Sequence, residues 1–306
     1  MTMLLYVDQI TRRFGRQPVL EGLHFHLGRG DVLGLLGPNG AGKTTALRIL
    51  SGNLAPSSGR VEITGYDLQR SPRAAKSRIG YLPERPPIYP EMSVDEYLAF
   101  TGRLRRLPRA ELAPAVHRVK ERCGLTHVGK RLLGRLSKGY RQRAGIAQAL
   151  IHQPDLVILD EPGDGLDPVQ SREMRALVRA IAEDAGVILS SHALGEVQAM
   201  CSRAIILDHG RQLYTADLAQ QPRTTRDLYV RLRSTPALNS LQALTAIAAA
   251  APDSAGGLRI RLHSHASADL LARELIEHGY GLLELRPRRS DLEQVFFSCI
   301  GMESLA

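Results

Sequence analysis

The stretch Gly37-Pro38-Asn39-Gly40-Ala41-Gly42-Lys43-Thr44 constrains this chain more than any other. It fits G-x-x-x-x-G-K-[ST], and its flanks match the mechanism that pattern implies. Upstream lies the apolar run Asp31 to Leu36, which reads as a strand. Downstream, from Ala41 to Leu54, the residues Leu47, Ile49, Leu50 and Leu54 fall at roughly helical spacing. Strand, glycine loop and helix make one βα unit. Glycines let successive backbone N–H groups turn inward around an anion, and the helix N-terminus adds the positive end of its dipole. Lys43 supplies a point charge to β- and γ-phosphates, and Thr44 offers a hydroxyl to Mg²⁺.

The rest of the first two thirds repeats the alternation. Leu4 to Val7, Val19 to Leu27, Arg60 to Ile63 and Ile79 to Leu82 read as strands. Pro83, Pro86, Pro87 and Pro90 then impose an extended connection. From about Ser93 to Leu150 the period is helical, with breaks at Pro108 and near Gly124 and Gly134, an inserted helical lobe. The run Leu156-Val157-Ile158-Leu159 looks like a parallel strand buried on both faces. It ends in Asp160, a carboxylate able to hold a magnesium hydration shell, and Glu161, placed to accept a proton from an attacking water. A helix near Val169 to Glu183, a strand at Val187 to Ser190 and another at Ala204 to Asp208 complete a parallel α/β pattern. Beyond Leu218 the polar segment Gln220 to Arg226 reads as a linker. The remainder suggests a small α/β sandwich: strand Leu228 to Leu232, helix near Pro236 to Ala250, strand Leu258 to Leu262, helix Ala266 to His278, strand Gly281 to Leu285 and helix Ser290 to Ile300. Leu292, Val295 and Phe296 of that last helix, after an N-cap signal at Ser290-Asp291, are expected to pack on the small sheet.

Bulk composition excludes other classes. With 306 residues the chain is long enough for about two domains, and 43% hydrophobic with 23% charged residues argues against wholesale disorder. No stretch approaches the ~18 to 20 uninterrupted apolar residues of a bilayer-spanning helix. The start MTMLLYVDQI lacks the basic region and long apolar run of a secretory signal, so a cytoplasmic compartment is expected. Cys123, Cys201 and Cys299 are scattered and odd in number, which suits free thiols, and neither they nor His24, His26, His117, His127 and His152 have metal-cluster spacing. The net charge is +9, yet Arg103 to Arg143 alone carries 13 Lys or Arg against Glu111 and Glu121. That stripe could meet nucleic acid, an anionic lipid surface or an acidic protein, or form a solvated helical face.

Taken together, these segments resemble the ATP-binding subunit of an ABC (ATP-binding cassette) transporter. Leu136-Ser137-Lys138-Gly139-Tyr140-Arg141-Gln142-Arg143 is similar to the family signature and precedes Asp160 at the family's distance. Gly165-Leu166-Asp167 matches the D-loop, His192 after Ser190-Ser191 the switch histidine, and Phe14 before Gly15 the ring under adenine. The resemblance covers about residues 3 to 218. It implies an α/β P-loop cassette over residues 1 to 218, with a RecA-like parallel core, an antiparallel β subdomain and a helical lobe at about 93 to 150. A linker at 219 to 227 and a small accessory domain at 228 to 306 would follow. It further implies an ATPase using ATP and Mg²⁺, with Glu161, His192 and Lys43 catalytic and Thr44, Asp160 and Glu84 at the metal. Phe14, Gly37, Pro38, Asn39, Gly40, Ala41, Gly42, Lys43, Thr44, Thr45, Ser137, Gly139 and Asp167 would contact nucleotide, Ser137 and Gly139 in the opposite subunit of a head-to-tail dimer.

The sequence departs from the pattern in places. Glu84 stands where the family usually has Gln and is a metal ligand, a protonated donor or a surface residue. Lys138 and Tyr140 replace the commonest Gly and Gln, and Gly163-Asp164 replace Thr-Ser. The tail Ser290-Asp291-Leu292-Glu293-Gln294-Val295-Phe296-Phe297 is similar to the accessory domain of bacterial drug, polysaccharide and gliding-motility-type exporters, and a copper-enzyme-maturation ATPase shares the architecture. The implied partners are separate integral-membrane permease subunits and a second copy or paralogous ATPase, at the cytoplasmic face of the inner membrane and without nucleic acid. The alternative is a soluble ABC protein acting on ribosomes or nucleic acid, whose members usually carry two cassettes or a long coiled-coil insertion.

Overall fold

The computed structural model describes residues 3–218, 227–234, 236–253, 256–287 and 291–299. The chain forms two compact units, Met1–Ala219 with Val295–Ala306, and Gln220–Gln294.

In the first unit, strands β1 (Met3–Phe14) and β2 (Gln17–Gly28) form an antiparallel hairpin. β3 (Val32–Leu36) leads into helix α1 (Lys43–Leu50), shorter than the apolar spacing suggested because Gly52 takes a positive φ of 73° just after it. β4 (Ser58–Ile63) and β5 (Tyr66–Asp67) extend the antiparallel edge, and α2 (Pro72–Ser77) precedes β6 (Ile79–Leu82). The helical lobe contains α3 (Val94–Leu104), α4 (Arg109–Arg122) and α5 (Lys138–Leu150). β7 (Leu156–Leu159), α6 (Pro168–Ala182), β8 (Gly186–Ser191), α7 (Leu194–Met200), β9 (Arg203–Asp208) and β10 (Arg211–Asp217) complete the unit. The short α7 has no counterpart among the elements expected from the sequence.

One ten-stranded sheet runs β5-β4-β1-β2-β10-β9-β3-β8-β7-β6. Its β9-β3-β8-β7-β6 portion is parallel, and β3, β7 and β8 are buried throughout. Burial on both faces explains their uninterrupted apolar sequences. The register pairs Leu36 with Ser191 and Leu159 with Leu189, so three strands end at one edge. Gly37, Asp160 and His192 directly follow those ends, and the carboxyl edge of such a sheet is where ligands bind. Leu33, Leu35, Leu47, Leu50, Ile158 and Ile188 belong to the core cluster that holds β3 and α1 in place.

Part of the basic stripe is neutralised within the chain. Lys120 pairs with Asp95, Arg122 with Asp184 at 3.0 Å, Lys138 with Asp164 at 2.9 Å, and Arg143 with Glu173. Cys123 and Cys201 are buried free thiols. Among the described residues, no helix is long and apolar enough to cross a membrane, and no group of three or more His, Cys, Asp or Glu could hold a metal.

The second unit contains β11 (Asp227–Leu232), α8 (Leu238–Gln242), β12 (Ile247–Pro252), β13 (Leu258–Leu262), α9 (Ala268–Glu277) and β14 (Leu282–Pro287), in an antiparallel sheet of order β12-β13-β11-β14. The helix expected from Pro236 to Ala250 is thus wrong in its second half. The alanines of Ile247–Pro252 favour a helix intrinsically, but Ile247 and Ala250 are buried against Leu262 and Ile260 of β13. Pairing overrides propensity there. The last helix, α10 (Asp291–Cys299), spans the unit boundary, which falls between Gln294 and Val295. Among the described residues, the apolar cluster of the small sheet includes Leu228, Val230, Ile260, Leu271 and Leu275, and in α10 Leu292 and Phe296 are buried. Residues Gln220 to Arg226 and Ser290 lie outside the described residues, so the linker and the N-cap signal do too.

Candidate functional site

The loop after β3 is shaped by its glycines at two points. A Cβ on Gly37 would lie 2.2 Å from the Leu207 carbonyl oxygen, so no larger residue fits between β3 and β9. Gly42 caps α1 with φ of 101°, and a Cβ there would meet the Val19 carbonyl oxygen at 2.8 Å. Lys43 is buried, and its Nζ donates to the carbonyls of Gly37 at 2.7 Å and Pro38 at 3.2 Å. The ammonium is therefore held inside the turn of the loop, with the N-terminus of α1 beneath it.

The tip of β7 supplies two carboxylates with different surroundings. Asp160 is 1% exposed; its Oδ1 accepts from Ser190 Oγ at 2.6 Å and lies 3.5 Å from Thr44 Oγ1. Its Oδ2 is buried without a hydrogen-bond partner. Burial raises the Asp160 pKa, with the charges of Glu161 and Glu84 pushing the same way against the Ser190 and Thr44 hydrogen bonds. An orphaned, desolvated carboxylate oxygen beside a threonine hydroxyl is the donor set a hard divalent cation satisfies, so these residues fit Mg²⁺. Glu161 adopts φ of 48°, a left-handed conformation that a non-glycine residue holds at a cost of about 1–3 kcal/mol. Its N–H donates to Ser190 Oγ at 2.8 Å, while Oε1 lies 3.6 Å from Lys43 Nζ and Oε2 3.0 Å from His192 Nδ1.

These groups surround one cleft of about 340 Å³, lined by residues 38–45 and by Val19, Glu84, Glu161, Asp164 and His192. The structure therefore brings together residues 38–45 of the phosphate loop, Glu161, Glu84 and the histidine, while Asp160 lines an adjoining cleft that shares Thr44 and Glu84 with the first. Phe14, Gly37, Ser137, Gly139, Asp160 and Asp167 are not among the lining residues of the first. Phe14 is half exposed, with the Arg12 guanidinium 4.6 Å from its ring centroid. Ser137 is the N-cap of α5, its Oγ accepting from Tyr140 N, and Gly139 abuts Gln170, whose side chain a Cβ would meet at 2.8 Å. Asp167 caps α6, accepting from Gln170 N at 2.8 Å. Ser190 and Glu196 escaped the reading of the sequence. Ser190 links Asp160 to the Glu161 backbone, and Glu196 accepts from Ser191 Oγ at 2.8 Å. The available signal was a serine pair ending the apolar run of Gly186–Ser191, whose hydroxyls the structure buries fully.

Comparison with known proteins agrees with this geometry. The model of the family described as ABC transporter matches residues 20–164. The bacitracin transport ATP-binding protein BcrA of Bacillus licheniformis is 36% identical over 215 residues, covering 70% of this chain and 69% of that protein. The linearmycin resistance ATP-binding protein LnrL of Bacillus subtilis (strain 168) is 31% identical over 310 residues, covering 97% of this chain and 98% of that one. A solved structure described as an ATP-binding subunit of an ABC transporter aligns with TM-score 0.63 and 30% identity, over 70% of this chain and 90% of its own. The curled α/β sheet is accordingly a P-loop ABC cassette, and the chain belongs to the ATP-binding, ATP-hydrolysing subunits of ABC transporters.

Proposed function

We propose that Glu161 is the general base of ATP hydrolysis and that turnover drives a separate membrane permease, for export. The observation that carries the first part is the Glu161 carboxylate, held between Lys43 Nζ and His192 Nδ1 at the mouth of the phosphate cleft. The loop N–H groups and the α1 dipole bind the triphosphate, and Lys43 turns from the Gly37 and Pro38 carbonyls toward β- and γ-phosphate oxygens. That movement releases Oε1 of Glu161 to accept a proton from the water attacking the γ-phosphorus, as the bond to the bridging oxygen breaks and ADP leaves. His192 fixes the other carboxylate oxygen and so keeps Oε1 aimed. Thr44, Asp160 and Glu84 would hold Mg²⁺, which would supply charge neutralisation on the triphosphate. Phe14, at the exposed end of the β1–β2 hairpin, offers a ring face to adenine.

Ser137 is exposed, opens α5 and lies apart from the cleft lining of its own chain. That supports a second cassette, identical or paralogous, whose nucleotide it contacts together with Gly139, the D-loop Asp167 lying at the same interface. ATP then bridges two chains, and loss of the γ-phosphate shifts the population toward the open pair. Names of relatives for bacitracin transport and linearmycin resistance support export, and the second matches both units. A peripheral position at the cytoplasmic face of the inner membrane follows, with residues 1–218 as the cassette and 228–306 as an accessory domain joined by 219–227.

The decisive experiment is E161Q. It is expected to bind ATP and lower kcat by about 10²–10⁴-fold. Turnover near the wild-type rate by that variant removes Glu161 from the reaction.

A further inference from the structure

The side chains lining the nucleotide cleft have an unfavourable charge balance. Lys43 is the one lysine or arginine among them, against Glu84, Glu161 and Asp164. The ligand is itself a polyanion, so each rim carboxylate opposes its entry unless a cation offsets it. Lys43 already lies within 3.6 Å of Glu161. Asp164 is exposed at the rim, and its Oδ2 accepts from Lys138 Nζ at 2.9 Å. Lys138 is not a lining residue; it comes from the first turn of α5, directly after Ser137.

Further packing fixes that meeting. Gly165 has φ of 63°, and a Cβ there would lie 2.4 Å from Lys138 Nζ, so the lysine occupies the space the glycine leaves. One step along, Gly139 abuts Gln170, the residue whose N–H caps onto Asp167. The turn that bears Ser137 and the loop that bears Asp164 are therefore seated against each other at two points.

We propose that Lys138 is a positioning residue for nucleotide binding, acting through Asp164: its ammonium cancels the rim carboxylate in its own chain, sparing the entering triphosphate that repulsion. The inference rests on the cleft being the nucleotide site. An alternative role, direct contact of Lys138 with nucleotide in a partner cassette, has a different signature, because it does not need Asp164.

A double-mutant cycle on the full chain separates them, with a fluorescent ATP analogue and Mg²⁺ as the probe. K138Q is expected to weaken binding about two- to fivefold at low salt, the range of one exposed ion pair. In the D164N background the same replacement is expected to change nothing. Near 1 M salt, where the Debye length is ~3 Å, the K138Q effect is expected to fade. An equal loss with and without D164N, a salt-insensitive loss, or no loss at all overturns the proposal. K43A serves as the control: if it binds the probe as tightly as the wild type, the site assignment fails rather than the ion pair.

Discussion

The phosphate loop and the turn at Ser137, the two halves of the proposed nucleotide site, are both helix N-termini, and they are built in opposite ways. Lys43 is buried, and two carbonyls and a carboxylate of its own chain occupy its ammonium. Ser137 is exposed, and its hydroxyl accepts from Tyr140 N–H as the cap of its own helix. The difference teaches that one half of the proposed site is assembled by folding, whereas the other half is presented outward. Perturbing the first half alters what one chain does at any concentration, and perturbing the second alters what depends on a neighbour.

The sharpest way to break that contrast is at Ser190, which belongs wholly to the folded half. S190A takes a donor from buried Asp160 and an acceptor from the Glu161 N–H. Loss of about 1–3 kcal/mol of stability, together with lower kcat, is expected, and denaturant unfolding with steady-state kinetics checks both. S137A is the complementary test. Losing an N-cap serine costs about 1 kcal/mol, so the fold should survive. ATPase activity is expected to fall at protein concentrations where the wild type is dimeric, with single-chain ATP affinity unchanged. An affinity loss in the monomer would place Ser137 in its own chain's site after all. The smallest effect belongs to pH. Burial, with Arg105 nearby, pushes the pKa of His152 down to about 4, while its Nε2 lies 3.0 Å from the Ile79 carbonyl oxygen. The unfolded chain therefore binds the proton more readily, and stability is expected to rise from pH about 4 to about 6.5. H152Q should flatten that part of the profile, measured as thermal midpoint against pH.

What the sequence revealed depends on how locally each feature is encoded. The cradle is eight consecutive residues whose conformations are demanded by the backbone itself, so Gly37 to Thr44 could be assigned before any contact was known. Asp160 and Glu161 gained meaning from the apolar strand ahead of them. Ser190 did not, because its role is a tertiary one: 29 or 30 residues separate it from the groups it joins, and only the β7–β8 pairing brings them together. The alanine run of β12 failed for the opposite reason. Its local preference is clear and helical, yet its partner strand decides the outcome. The Lys138–Asp164 bond was invisible in the same way, since two unusual residues were legible one at a time and not as a couple.

The left-handed backbone at Glu161 has a consequence for anyone trying to harden this protein. Glycine would sit there more comfortably than any residue with a side chain, so a search for thermal resistance alone would be drawn to that position. It would find robustness by deleting the proposed base. On the proposed mechanism, the kink persists because the reaction requires a carboxylate at a bend in the chain that disfavours having one.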